Sequence, residues 1–243
     1  MRQLALVLTL LVTCLMVART ENEDRVATAR SRVEPILREK FRAAGVAYPA
    51  HEIFVRVFKR EAVAELWARG SAKEPFRLVH RYVVTCSSGR PGPKRMEGDC
   101  QVPEGFYEID RFNPKSMFHL SLGLNYPNAA DRILSDAQRP GFDIFLHGSN
   151  VSVGCVPVGD EAIEELYVAA FDSHARPPQV HIFPAKMNAP DWAAWRDEQV
   201  AANAALAPFW QQLQRGFDAF EEAHRLPVLR VAKDGSYQLQ ASR

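Results

Sequence analysis

The sequence predicts an α+β protein with a sheet-based core. Strand patterns fill the middle of the 243-residue chain and helical patterns occupy both ends. Runs rich in β-branched and aromatic residues recur at 51–58 (HEIFVRVF), 77–84 (RLVHRYVV), 142–146 (FDIFL) and 179–183 (QVHIF). Residues 21–45 and 191–224 are charged, with apolar positions at helical spacing. There is no internal repeat, and 47% hydrophobic content is ample for the core of one large domain or two small ones.

Residues 1–20 stand apart. They hold no acidic residue and an apolar run from Leu4 to Val12, broken by Thr9 and resumed through Cys14, Leu15, Met16 and Val17. A run of about 15 residues is shorter than the roughly 20 that a membrane span needs. With Arg2 in front and Ala18 behind, it predicts a signal peptide and an exported, periplasmic protein. A lipoprotein signal using Cys14 and a retained anchor are the alternatives, so membrane contact is expected only through an uncleaved or lipidated N-terminus. Removing 1–20 takes away Arg2 and Arg19 and no acid, which moves the formal charge from +1 to −1. That balance argues against nucleic acid as a partner.

The other elements follow in order. Val26, Val33, Ile36, Leu37 and Phe41 predict a helix, with Pro35 a break or a late start and Gly45 a stop. After the strand 51–58, residues 61–69 read as a short amphipathic helix ending at Gly70, and 77–84 as a strand. Residues 86–105 (CSSGRPGPKRMEGDCQVPEG) are dense in Gly, Pro and charge, either a functional surface or a solvated connection. Strands are expected at 106–110 and 116–122, a short helix at 127–134 and a buried strand at 142–146. Asp160 is positioned to cap a helix over 161–171, whose Glu161, Glu164 and Glu165 suit its positive end. Strand 179–183 precedes a long helical tail, 191–224, interrupted at Pro208. The implied division is 1–20 signal, 21–50 helical flank, 51–186 catalytic domain and 187–243 helical extension.

The segment richest in chemistry is 142–158, FDIFLHGSNVSVGCVPV. A free thiol near pKa 8.5 is mostly protonated at neutral pH, and an imidazole that takes its proton creates a nucleophile. His147 and Cys155 provide that pair, and Gly148 and Gly154 would bring backbone amides close to a reacting carbonyl. The spacing alone leaves an inert buried Cys and a satisfied His as the ordinary alternative, with Ser152 a simple turn residue. There is no HExxH or CxxC, so no metal site is expected; no P-loop and no GxSxG occur, and no cofactor is called for. His51, His80, His119 and His181 read as packed or surface residues, and His174 and His224 as helix-end residues.

The HG…SxGC segment resembles the catalytic signature of L,D-transpeptidases with the YkuD-type domain. Residues 102–109 (VPEGFYEI) resemble the family's TPxGxF strand. The runs SSGRPGPKRMEGDCQVPEGFY, NPKSMFHLSLGLNYPN and HGSNVSVGCVPV together are similar to its YafK-like branch, over about residues 54–184. The resemblance implies a β-rich sandwich with a cleft over Cys155 as nucleophile, His147 as general base, and Ser152 and Gly154, with Gly148 and Ser149, shaping the oxyanion region and cleft. The implied substrate is the peptidoglycan stem peptide. Cys155 would attack the L-centre carbonyl of diaminopimelate and form a thioester, resolved by an amine in cell-wall cross-linking or by water. The branch also implies an amidase that releases a lipoprotein linked to peptidoglycan. A silent peptidoglycan-binding module and an envelope protein docking a partner through its Trp-bearing tail are the competing classes.

Two departures from the family pattern matter. Val153 stands where the common SHGC motif has a second His, which leaves His147 as the base, and Pro157 stands where the family has Arg or Asn. Lys94 or Arg95 is therefore expected to bind substrate carboxylates. If Cys155 reacts, Cys86 and Cys100 remain as a possible disulfide pair, closing a loop worth about 3 kcal/mol in the chain-entropy model; two separate reduced thiols are the alternative.

Overall fold

The computed structural model describes residues 25–173 and 175–240. The expected signal segment 1–20, with Cys14, lies outside the described residues, as does His174. No helix among the described residues is long and apolar enough to cross a membrane.

The core is an eight-stranded sheet. Helix α1 (25–43) leads into β1 (Glu52–Phe58), β2 (Val63–Arg69), β3 (Arg77–Val83), β4 (Gly105–Asn113) and β5 (Ser121–Leu124). Then come α2 (Ala129–Leu134), β6 (Phe145–His147), β7 (Val156–Pro157), α3 (Asp160–Asp172) and β8 (Gln179–Phe183). The chain ends with α4 (Trp192–Ala202), α5 (Leu206–Ala223) and a hairpin of β9 (Leu229–Val231) and β10 (Tyr237–Leu239). The sheet order is β3-β2-β1-β8-β4-β5-β6-β7. Strand β4 joins its two halves: Gly105–Glu108 pair with β8, Ile109–Asn113 pair with β5, and the register shifts between Ile109 and Arg111. A strand that changes partners at an irregularity is how a sheet turns a corner.

Strand β1 is buried on both faces, and its alternation sorts the core. Ile53, Val55 and Val57 meet Val33, Leu37 and Phe41 of α1 and Ile163, Leu166 and Val168 of α3. On the other face Phe54 meets Phe220, and Phe58 meets Phe217, both from α5. The two terminal helical regions therefore pack on opposite sides of one sheet. Ion pairs Arg30–Asp172 (2.6 Å) and Lys40–Glu165 (2.6 Å) tie α1 to α3.

Several expectations are corrected. Residues 61–69 are not a helix: Val63–Arg69 pair residue by residue with β1. Their charges imitate a solvated helix face but are buried and paired, because Glu65 accepts from Arg56 (2.8 Å), Arg81 (3.0 Å) and the Trp67 indole (2.9 Å). Helix α1 runs through Pro35, which lies on its exposed face, where water can take up the carbonyl that loses its partner. The strand expected at 116–122 begins only at Ser121, after a turn in which His119 has φ +70°. The helical tail breaks at Asn203, whereas Pro208 sits in the first turn of α5, where a missing N–H costs nothing. Trp192 and Trp210 are buried beneath α4 and α5, so the Trp-bearing face packs on this protein's own sheet. Hairpin β9–β10 has no counterpart in the sequence reading.

His181 of β8 is fully buried between the rings of Phe54 (4.5 Å) and Phe106 (4.7 Å). Burial, with a smaller contribution from Arg56, pushes its pKa down to about 3. The unfolded chain takes up a proton near pH 6.5 and the folded chain does not, so acid favours unfolding between pH 6.5 and 3. Stability should fall by up to about 1.4 kcal/mol per pH unit from this group in that window. Urea unfolding at pH 7 and pH 4 checks this: His181→Phe should lose less stability on acidification than the parent.

Candidate active site

Strands β6 and β7 run parallel, with Leu146 opposite Val156 and His147 opposite Pro157. Leu146 and Val156 enter the core on one face. His147 is the last residue of β6 and Cys155 immediately precedes β7, so the register brings the two to the ends of neighbouring strands. A spacing of eight in sequence thus becomes a diagonal relation across two adjacent strands.

The loop between them, 148–155, is held from three sides. A Cβ on Gly148 would come within 2.4 Å of Asp160 Oδ1 and 2.7 Å of the Phe118 carbonyl, so only glycine fits. Ser149 is left-handed (φ +63°); its N–H donates to Asp160 Oδ1 at 2.7 Å, and its carbonyl accepts from Thr85 Oγ1 at 3.1 Å. Ser152 Oγ donates to the Cys155 carbonyl at 2.7 Å and so shapes the turn. Gly154 has φ +101°, and its N–H donates to Ser88 Oγ at 2.8 Å.

His147 is buried, and its ring lies 4.7 Å from that of Phe118. Its Nδ1 is 2.6 Å from the Gly148 carbonyl. A carbonyl only accepts, so Nδ1 carries the proton and Nε2 is left with a lone pair. Burial lowers the pKa of His147, partly opposed by that carbonyl. Cys155 is half-buried, and its thiol donates to the Asp143 carbonyl at 3.7 Å. Burial raises the Cys155 pKa; the Asp143 carboxylate adds to the rise, while the Phe145 backbone and Lys94 oppose it. Both shifts favour the uncharged forms, imidazole and thiol.

Other predicted residues are placed differently. The N–H groups of Gly148 and Gly154 are engaged, by the Leu120 carbonyl (3.2 Å) and by Ser88, so neither is open to a reacting carbonyl. Lys94 is buried and donates to Asp99 Oδ1 (2.6 Å) and the Met96 carbonyl (2.9 Å). Arg95 lies over the Phe209 ring and 3.6 Å from Asp131. Lys94 is engaged within its own loop, and Arg95 ties that loop to α2 and α5. Cys86 and Cys100 are free thiols, directed to the carbonyls of Ser87 (3.8 Å) and Gly98 (3.6 Å), so the expected disulfide is not formed. The Gly/Pro-rich loop is ordered instead by two carboxylates. Asp99 gathers Lys94 and three backbone N–H groups, and Glu104 gathers Lys59, Gly92 N–H and the Trp210 indole.

Sequence reasoning missed Asp160, Thr85, Ser88 and Phe118. Asp160, expected as the cap of α3, is its first residue: Gly159 is the N-cap, with no side-chain cap, and Asp160 turns onto the 148–155 loop. Thr85, Ser88 and Phe118 act through tertiary contacts for which no local pattern exists. Among the described residues no group of three His, Cys, Asp or Glu is placed to hold a metal.

Residues 53–170 match the family profile described as the L,D-transpeptidase catalytic domain, YkuD. The chain is 29% identical over 190 residues to YafK of Escherichia coli K12, a protein whose L,D-transpeptidase name is provisional, covering 76% of this chain and 72% of that protein. Among solved structures, the helical cell shape determining protein Pgp2 of Campylobacter jejuni aligns with TM-score 0.45 and 16% identity, over 74% of this chain and 73% of that one. A K307A mutant of Pgp2 aligns over 49% of its own length at the same TM-score with 21% identity. L,D-transpeptidase 1 of Mycobacterium tuberculosis aligns with TM-score 0.32 and 10% identity, over 54% of this chain and 61% of that one. The HG…SxGC segment and the VPEGFYEI strand lie inside the matched span, so residues 53–170 are similar to the L,D-transpeptidase catalytic domain and the chain is similar to YafK.

Proposed function

We propose that the protein is a cysteine acyl-transfer enzyme acting on peptidoglycan stem peptides, with Cys155 as nucleophile and His147 as base. What supports this reading is the β6–β7 register, which brings His147 and Cys155 to the ends of neighbouring strands, together with the Gly148 carbonyl 2.6 Å from His147 Nδ1, which leaves Nε2 as an acceptor. As Sγ attacks the L-centre carbonyl of diaminopimelate, Nε2 takes the thiol proton. The tetrahedral species collapses to a thioester when the imidazolium returns that proton to the leaving amine. An incoming amine or a water molecule then attacks the thioester, with His147 again accepting the proton. Peptidoglycan lies outside the cytoplasmic membrane, which agrees with the apolar segment at 1–20 acting as an export signal.

The experiment is digestion of purified peptidoglycan, with and without attached lipoprotein, followed by mass analysis. New diaminopimelate cross-links identify transfer to an amine, released lipoprotein or trimmed stems identify hydrolysis, and unchanged material contradicts the proposal.

These shifts toward the uncharged forms predict an unusual pH profile. A thiolate–imidazolium pair would keep iodoacetamide alkylation fast well below pH 7. Here the raised thiol pKa and the lowered imidazole pKa should make Cys155 alkylation slow at pH 7 and rising about tenfold per pH unit toward pH 9. Mass-resolved alkylation rates at Cys155 between pH 5 and 9 measure this, and a rate plateau at acid pH would contradict it.

A further inference from the structure

A cleft of about 500 Å³ lies outside the His147–Cys155 pair, neither of which lines it. Asp143 lines it, and the Asp143 carbonyl is the acceptor of the Cys155 thiol, so the cleft and the surroundings of the thiol share this residue. Three arginines line it. Arg111 is already neutralised, by Asp110 (3.0 Å) and Asp143 (2.7 Å). Arg132 of α2 and Arg139 are exposed, and among the described residues neither guanidinium has a hydrogen bond or an ion pair. The carboxylates of Asp131 and Asp136 attract them only through space. Arg139 is held by its backbone: its N–H donates to Asp136 Oδ1 (2.8 Å), and its carbonyl accepts from Glu97 N–H (2.8 Å). That last bond places the exposed Glu97, whose carboxylate also has no partner among the described residues, at the same rim.

Two uncommitted cations and one uncommitted anion around a cleft match a zwitterion. We infer that the cleft holds the amino-acid head of the acyl donor, with its carboxylate on Arg132 and Arg139 and its ammonium on Glu97, while the reacting carbonyl lies at Cys155. Guanidinium forks recognise carboxylates through paired, charge-assisted hydrogen bonds. Diaminopimelate has such a head: the far end of its side chain carries a free amine and a free carboxylate. The inference rests on the proposed function for what happens at Cys155, but binding of the head does not require any reaction. It also implies a preference for uncross-linked stems, because an acylated amine can no longer pair with Glu97.

The test uses the full chain with Cys155→Ala, so that no acylation occurs, and isothermal titration with three synthetic stem tetrapeptides. One keeps the free head, one has its carboxylate amidated and one has its amine acetylated. Amidation should weaken binding about 10- to 100-fold, and Arg132→Ala with Arg139→Ala should weaken the free peptide by as much and abolish the difference. Glu97→Gln should abolish the penalty of acetylation in the same way. Both arginines are exposed, and single variants with unchanged thermal midpoints control for folding. Equal affinity for the free and amidated peptides, an unchanged Kd in the double variant, or no binding at millimolar peptide overturns the inference. If this binding pattern holds while the parent never acylates, the acyl-transfer reading fails and the subsite stands.

Discussion

Cys155→Ala should reduce release or cross-linking of stem peptides to background, a loss on the order of 10⁴-fold or more, while leaving the fold intact. The side chain is small and half-buried, and its hydrogen bond to the Asp143 carbonyl is a long sulfur contact, so little packing is lost. His147→Gln should cost about 10²- to 10⁴-fold, the usual range for a positioned general base. A glutamine can keep the hydrogen bond to the Gly148 carbonyl but offers no basic lone pair to the thiol. Because the two residues act in one proton transfer, the double variant should be no worse than Cys155→Ala alone. Initial rates on tetrapeptide substrate, with thermal midpoints recorded for each variant, separate loss of chemistry from loss of fold.

Glu104→Ala should produce the largest loss of stability. Glu104 is fully buried and accepts from Lys59 Nζ (2.9 Å), Gly92 N–H (2.8 Å) and the Trp210 indole (2.7 Å). Lys59 Nζ also donates to the carbonyls of Gly92 (2.8 Å) and Val102 (2.9 Å). One carboxylate thus joins β1's end, the Gly/Pro-rich loop and α5. Removing it leaves a buried ammonium without its counter-charge, a change that costs about 3–5 kcal/mol. The thermal midpoint should fall by on the order of 10 °C, read by circular dichroism. The loop also places Ser88 against Gly154, so Cys155 should become more accessible to alkylation in the same variant. Glu104→Gln keeps the hydrogen-bond acceptor and should lose less.

The parts of this fold that sequence made legible are those whose local pattern and tertiary environment agree. Strands β1 and β8 are runs of β-branched and aromatic residues, and both are buried on two faces. Strand β2 is illegible in sequence because Glu65 and Arg69 look solvated there, although each is neutralised by a partner 9 to 17 positions away. No local pattern reports such pairing. The site divides in the same way. The His147 and Cys155 candidates came from chemistry and spacing, and resemblance assigned their roles. Loop composition points to Lys94 and Arg95 as cleft cations, yet Asp99 and Asp131 draw them inward. Arg132 and Arg139, on an unremarkable helix and loop, remain uncommitted. Composition shows that a charge exists, and only the packed structure shows whether it is already spent.

The thioester at Cys155 is the intermediate on which the proposed chemistry depends, and it can be seen directly. Full-length protein is mixed with stem tetrapeptide, quenched in acid within the turnover time, digested and mapped by mass spectrometry. The expected result is an acyl group on the peptide containing Cys155, removed by neutral hydroxylamine and missing in Cys155→Ala. An acyl group on another residue, or turnover that persists without Cys155, would contradict it.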